Sequence, residues 1–541
     1  MEGSKKTGSE GLTRREALKV SGLALGGLAI GGTVIGSEAD KAGAEQECAC
    51  PDGPTCRWKN PFKAQRYRYF DWLPRFDPYD FDNQKTTIRP LGKNEMRITF
   101  MGSCIPPVRR AQQMMSVFVE VGWNAKKGMP LDQFVFDCGS GVCANYGAMN
   151  VGFGRMNKIF LAHLHGDHMS DLTHIYCFGP SADRKSPLYV WGPGRSGFTY
   201  TDPDKKSSGP YDDGTADFCD ALRKACRWHT ESFSFQTTSY PNYQVPTQDS
   251  WGLPVDPVPV GDDALNDAYA LVPIELDWTK YGETPGDNVA YYNKETGVRI
   301  THFPVIHTRM GSIGYKLEWN GLSMIYTSDT KPETHCIDQA KNMDENGKAR
   351  GVDVFIHEMV PPAQVWAMKN EYSTDLPDMN SEVVQDLTTV QNSSHSPQGA
   401  FGYILSKIKP RPRLTVATHF PVADDTVACA MKSVQEHCNV YQHKESIPGK
   451  DAARITWSFD LMVISVTGDQ IKEMRGHVSD FGFSPTTNLP SGTPNTPKYW
   501  IWGTDSDGNP AKVGNPYAQI DTSTAIPECD DGKCNYRDDG Y

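Results

Sequence analysis

The chain has 541 residues, with 54 lysines and arginines against 66 aspartates and glutamates and a formal net charge of −12. That length exceeds one simple core, so one elaborated domain or two is expected. The acidic balance argues against broad electrostatic capture of nucleic acid, which needs a basic surface, while 49 glycines and 38 prolines describe a loop-rich globular chain.

Residues 1–44 read as an export signal. The pair Arg14–Arg15 precedes a weakly apolar, Gly/Ala-rich run, and Ala42-Gly43-Ala44 supplies a small-x-small cleavage pattern. This resembles a twin-arginine signal, and the run is too rich in glycine for a stable membrane span. The expectation is delivery by the twin-arginine translocation machinery to the periplasm or the medium. Residues 45–92 are aromatic- and Pro-rich and read as an irregular extension wrapped on a core. Cys48, Cys50 and Cys56 near one end, and Cys529 and Cys534 near the other, could form disulfides in an oxidising compartment. Cys138 and Cys177 lie in apolar runs and read as core residues.

A main domain is expected over 93–480. "EMRITFMGSCIPP", "SVFVEVG" and "QFVFDCGSG" read as three strands, "GVCANYGAM" as a helix and "KIFLAHLH" as a further strand, an order that predicts a mixed sheet with helices packed on it. "PLYVWGPG" is another strand. From about 195 to 295 the pattern dissolves into a large surface insertion with one helical piece, "FCDALRKACRW". Strands return at "VRITHFPVIHT", "IGYKLEWNG", "SMIYTSDT", "DVFIHEMV" and "RLTVATHF", with an amphipathic helix at "SPQGAFGYILSKIKP" and a final strand pair in "RITWSFDLMVISVTG". Residues 481–541 read as a decorated tail.

The stretch "LAHLHGDHMSD" concentrates His163, His165, Asp167 and His168 within six positions. On an extended segment His163 and His165 share a face, and imidazole and carboxylate are ligands that zinc prefers. Farther on, a His or Asp recurs at the tip of one strand after another: His307, Asp329, His357 and His419. Such tips converge on one edge of a sheet, where α/β folds place their sites. The groups suffice for two divalent metal ions, expected to be zinc, about 3.5–4 Å apart. His163, His165 and His307 would hold the first, Asp167, His168 and His419 the second, and Asp329 would bridge them.

The order "FDCGSG"…"HLHGDH"…His…Asp…His resembles the metallo-β-lactamase superfamily over residues 95 to 470. The resemblance implies an αββα sandwich of two mixed β-sheets flanked by helices, with Asp137 steadying the metal loop from behind the ligands. His168 and an Asp at 329 depart from true β-lactamases. "FIHEMV", "GSIGYKLEWNG" and "HSPQGAFGYI" are similar to the ribonuclease Z branch, which includes exported arylsulfatases and cyclic phosphodiesterases. That likeness implies His357 as a proton donor oriented by Glu358, with His395 near the site behind them. The Thr usual in that motif is absent.

What the resemblance implies is hydrolysis of a small anionic ester, a phosphodiester or a sulfate ester, by a metal-activated hydroxide oriented by Asp167. The alternatives are a lactonase or thioesterase on the same metals, a ribonuclease Z-like nuclease, and an idle metal-binding protein. No basic arm for gripping transfer RNA is evident, so no nucleic acid is expected. A homodimer is left open. His302 and His174 read as structural, and Arg309 as half of a salt bridge.

Overall fold

The computed structural model describes residues 76–79, 89–106, 111–184, 186–202, 207–233, 269–370, 375–422, 424–442, 447–476, 500–515, 520–525, 529–530 and 533–534. The export-signal reading, the first three cysteines, most of the 45–92 extension and the middle of the insertion lie outside them. Strands β1 (Asp77–Tyr79), β2 (Met96–Gly102), β3 (Ser116–Val121), β4 (Asp132–Phe136), β5 (Lys158–Phe160) and β6 (Leu188–Pro193) come first. A hairpin of β7 (Thr199–Asp202) and β8 (Ser207–Pro210) follows, then β9 (Leu271–Leu276). The second half supplies β10 (Val289–Tyr292), β11 (Arg299–Pro304), β12 (Ile313–Trp319), β13 (Leu322–Tyr326), β14 (Val354–Glu358), β15 (Leu414–Thr418), β16 (Val440–Tyr441) and β17 (Ala453–Trp457). Finally β18 (Met462–Val466) and β19 (Ile471–Gly476) return to the first half.

These strands build two mixed sheets. One has the order β1-β19-β18-β2-β3-β4-β5-β6-β9 and the other β10-β11-β12-β13-β14-β15-β17-β16. Their inner faces meet in one core: Ile98, Phe100, Val117 and Val119 from the first pack with Ile300, Leu317, Met324 and Val416 from the second. The parity is that of a pleated strand, in which successive side chains take opposite faces. Val117 and Val119 point inward, while Phe118 between them packs outward against a helix.

Helices cover both outer faces: α1 (Val142–Ala148), α2 (Gly166–Met169), α3 (Leu172–Phe178), α4 (Thr215–Ala225), α5 (Arg227–Phe233), α6 (Thr334–Lys341), α7 (Ala363–Asn370), α8 (Glu382–Ser394), α9 (Gln398–Lys407) and α10 (Asp424–Gln435). Val142, Tyr146 and Leu172 cover the first sheet, and Phe401, Val427 and Met431 cover the second. The result is the αββα sandwich. Strands covered on both faces read as continuous apolar runs rather than alternating ones, which is why they stand out in the sequence.

Three expectations change. The insertion is shorter than 195–295: β9 pairs in parallel with β6 and β10 pairs with β11, so the chain is back in both sheets from Leu271 onward. The strand before the histidine cluster stops at Phe160, short of His163. The last two strands of the "final pair" belong to different sheets, β17 to the second and β18 to the first. In the tail, Cys529 and Cys534 lie opposite each other on two short antiparallel strands. Among the described residues no helix is long and apolar enough to cross a membrane.

Candidate metal centre

The strand ends of both sheets deliver their side chains to one edge. The loop after β4 carries Asp137, and the loop after β5 carries His163, His165, Asp167 and His168. Two hydrogen-bond systems lock these loops together. Asp137 accepts from the Ala162 amide at 2.9 Å, from His168 Nδ1 at 2.8 Å and from the Tyr326 hydroxyl at 2.6 Å. Asp171 in turn accepts from the Gly141 and Cys143 amides at the start of α1, at 3.1 and 2.9 Å. Gly139 is required between them, because a Cβ there would collide with the Asp167 carbonyl oxygen.

Three groups of ligand atoms result among the described residues. His163, His165 and His307 form one, Asp167, His168, Asp329 and His419 a second, and Glu358 and His395 join Asp329 and His419 in a third, each with its atoms within 4.8 Å of one another. Asp329 stands between them, with Oδ1 3.3 Å from His168 Nε2 and Oδ2 3.8 Å from His307 Nε2 and 3.5 Å from His419 Nε2. His307 Nδ1 donates to the Ser394 carbonyl oxygen at 2.7 Å, which turns its Nε2 toward His165. His168 is turned in the same way by Asp137. Such backing of the far ring nitrogen fixes a ligating tautomer.

The donor set fits cations. Both ring nitrogens of His163, Nε2 of His168 and Oδ1 of Asp329 are buried without a hydrogen-bond partner, a costly condition that coordination would relieve. Burial, reinforced by His168, holds His163 well below the ordinary imidazole range, and burial takes His307 to about 4. Both are therefore neutral near pH 7, as a ligand must be. Burial lowers His419 as well, but Asp329 and hydrogen bonds to Asp167 and Glu358 outweigh it and raise it to about 9. His168 is raised in the same sense by Asp329, Asp167 and Asp137.

The structure parts the two residues expected to act as a pair. His357 and Glu358 are consecutive on β14, so they take opposite faces. Glu358 faces the metal ligands. It accepts from His395 Nδ1 at 2.8 Å and from the Thr330 amide, and its Oε2 lies 3.6 Å from His419 Nδ1. His357 turns away: it is fully buried, its Nδ1 contacts the Glu358 backbone oxygen at 2.6 Å, and its ring packs against Phe355 and Phe401. His395, expected only behind the site, is the histidine that pairs with Glu358. Burial lowers its pKa, but the charge and hydrogen bond of Glu358 outweigh this and raise it.

Two hollows flank the ligands. One, of about 380 Å³, is walled by His395 with His307, Asp167 and residues of α7 and α8. The other, of about 490 Å³, lies on the far side of His165 and is bordered by Tyr211, Asp213 and Arg309. Arg309 donates to Asp213 at 2.6 Å and lies over the Tyr211 ring at 4.7 Å, so it is held in a salt bridge. His302 is buried within β11, and His174 packs between Phe153 and Phe178. Neither joins the clusters. Ser394, Asp171, Tyr326 and the α7–α8 wall were missed from sequence. Only the last had a signal, the helical spacing of Val383, Leu387 and Val390.

No family model matches the chain. The sequence is similar to the ribonuclease Z of Mycolicibacterium gilvum, 25% identical over 304 residues that cover 54% of this chain and 79% of that protein. It is also similar to the ribonuclease Z of Treponema denticola, 39% identical over 62 residues, which are 12% of this chain and 20% of that protein. The ribonuclease BN of Citrobacter koseri is 28% identical over 100 residues, 18% of this chain and 31% of that protein. The chain thus spans less than a third of the length of those last two. Among solved structures, the metallo-β-lactamase fold protein YhfI from Bacillus subtilis is 12% identical with a TM-score of 0.38, covering 69% of this chain and 100% of that one. Human tRNase Z, short form, is 16% identical with a TM-score of 0.34, covering 68% and 98%. The two mixed sheets between helices form the αββα sandwich that the sequence resemblance implies.

Proposed function

We propose that the chain is a dinuclear, zinc-dependent hydrolase of phosphodiester or sulfate ester bonds, exported by the twin-arginine machinery to the periplasm or beyond. One observation carries the reaction. A buried Glu358 sits 2.8 Å from His395 beside the ligand clusters, and His395 opens onto a hollow. His163, His165 and His307 would hold one ion, Asp167, His168 and His419 the other, with Asp329 shared. Bound zinc supplies a water of lowered pKa and charge stabilisation at the ester.

The protein side chains do the rest. Asp167 lies 3.2 Å from His419 Nε2 on the rim of the hollow, placed to orient the attacking water by accepting its hydrogen bond. Glu358 takes the Nδ1 proton of His395 as a hydrogen bond and leaves Nε2 to face the hollow. From there His395 donates a proton to the departing alcohol, a step worth about 10²–10⁴-fold. Glu358 is a positioning residue, since it acts through His395. A ribonuclease reading is favoured by the named relatives and opposed by the chain's net charge of −12, which disfavours capture of a polyanion. A thioester's thiolate leaves with less help, so a proton donor favours an alcohol over a thiol as leaving group.

The test compares the zinc-loaded full-length chain on bis(p-nitrophenyl) phosphate, p-nitrophenyl sulfate and a short RNA. Cleavage of either nitrophenyl ester that disappears with chelator supports the proposal and selects the ester. RNA cleavage alone would replace it with the nuclease, and no cleavage of any of the three would refute it.

A further inference from the structure

The hollow that His395 opens onto is built from apolar side chains. Helix α8 contributes one face at i, i+4 and i+7, namely Val383, Leu387 and Val390. Trp366 from α7, Val360 and Ile105 complete the wall. Behind it Val384 is buried against Ala363 and Ala367 of α7, so the two helices form a packed pair rather than a loose flap. Val383 remains 45% exposed and the pocket faces solvent there. A surface helix ordinarily turns such a face into the core. Here the i, i+4 and i+7 side chains line a cavity instead.

The wall is tied to the chemistry. Ser394, the last residue of α8, accepts from His307 Nδ1 at 2.7 Å through its carbonyl, and its hydroxyl lies 2.8 Å from that of Thr308. His395 is the residue at which α8 ends. Whatever fills the hollow therefore lies against the proton donor, on the side from which the alcohol departs. A volume of about 380 Å³ falls at the small end of the usual range for small-molecule sites. It suits one aromatic ring or a medium alkyl chain.

We infer that this hollow is the leaving-group site and that it selects esters of apolar alcohols, aryl or medium-chain alkyl, by burying the hydrocarbon against Trp366, Leu387 and Val390. The inference rests on the proposed hydrolase reaction for the word "leaving". The acidic part of the substrate stays between the ligand clusters. Asp386 on the same helix, also at the pocket wall, disfavours an anionic leaving group.

The experiment separates pocket from reaction by using product alcohols, which need no turnover. The linear alcohols butanol to octanol are titrated into the zinc-loaded full-length chain by ligand-observed NMR. Affinity is expected to rise by about 4-fold per methylene, the value of burying one CH₂, up to a length that fills the hollow. Leu387→Asp should flatten the series. Val390→Ala, which keeps the wall apolar, should only lower it, and circular dichroism checks that both variants fold. A flat series in a chain that still hydrolyses bis(p-nitrophenyl) phosphate overturns the pocket assignment and leaves the hydrolase standing. A steep series in a chain that hydrolyses no ester supports an apolar site and overturns the reaction, and with it the leaving-group role.

Discussion

Replacing His395 should expose its role through the leaving group. The Glu358–His395 contact is 2.8 Å, and it outweighs burial to raise the imidazole above its ordinary pKa, which favours the protonated ring. His395→Ala removes the donor. For an alkyl or unactivated phenyl ester the loss in kcat is expected at about 10²–10⁴-fold. For a nitrophenyl ester, whose phenolate leaves unaided, it should be much smaller. Glu358→Gln lowers the His395 pKa, and each unit lost removes about tenfold of the charged form above that pKa, so the acid-side plateau of the pH–rate profile contracts toward lower pH. His357→Ala instead leaves a cavity beside Phe355 and Phe401, costing about 2–4 kcal/mol of stability with kcat per folded molecule retained. Steady-state rates across a series of leaving groups decide the matter. An equal loss across the series, or a fall in folded His357→Ala as deep as in His395→Ala, would refute this assignment of roles.

The remaining expectations concern the scaffold of the site. Asp137→Asn weakens the hydrogen bonds that aim His168, and zinc affinity should drop by about 10–100-fold in competition with a chromogenic chelator; an unchanged affinity removes Asp137 from the site's support. Gly139→Ala drives a methyl group into the Asp167 carbonyl, so it should cost about 1–3 kcal/mol and shift zinc binding in the same titration. Asp460 is buried and lifted to about 7, although hydrogen bonds from Gln113, Ser103 and Asn145 pull it down. A raised folded-state pKa gives stability that is complete below the unfolded value near 4 and is lost as pH rises to about 7. The melting temperature of Asp460→Asn relative to the parent should therefore move upward between pH 4.5 and 8, and a constant difference would contradict the shift.

Much of this site is legible because strands announce their own ends. β13 and β15 are fully buried runs without a charged residue, and Asp329 and His419 are the first ionisable residues past them. Their convergence follows once the strands pair in parallel. The parting of His357 from Glu358 is legible too: β14 is a strand, and a strand cannot send both to one face. His395 was harder to place because it belongs to the end of α8 rather than to a strand, and only the pairing of Ser394 with His307 across 87 positions brings it in. The edge strands β9 and β10 were read as insertion because each is half-buried and flanked by Asp- and Pro-rich turns, so composition there masked their pairing.

The backbone shows where the fold bears strain for the sake of this centre. Among the described residues seven non-glycine residues have a left-handed φ, and three of them are Asp137 at 57°, Ser328 at 53° and His419 at 54°. Asn150, Asn320 and Asn342 account for three more, and Asn tolerates that region through its own hydrogen bonding. The site residues have no such excuse in the case of His419, and such conformations cost on the order of 1–3 kcal/mol unless the surroundings enforce them. The surroundings do. The Gln112 side-chain amide donates to the Phe420 carbonyl at 3.0 Å and accepts from the Val422 amide at 2.9 Å, clamping the chain just past His419. Ser328 is tied to Asp137 at 3.1 Å. The left-handed turns make each strand end abruptly, so the side chain at its tip swings over the sheet edge instead of continuing the pleat. Gln112→Ala should then release the His419 turn and weaken zinc binding while leaving His163, His165 and His307 in place. Metal titration monitored by stoichiometry tests this: one tight and one weakened site supports the clamp, and two unchanged sites would show that the turn needs no clamp to persist.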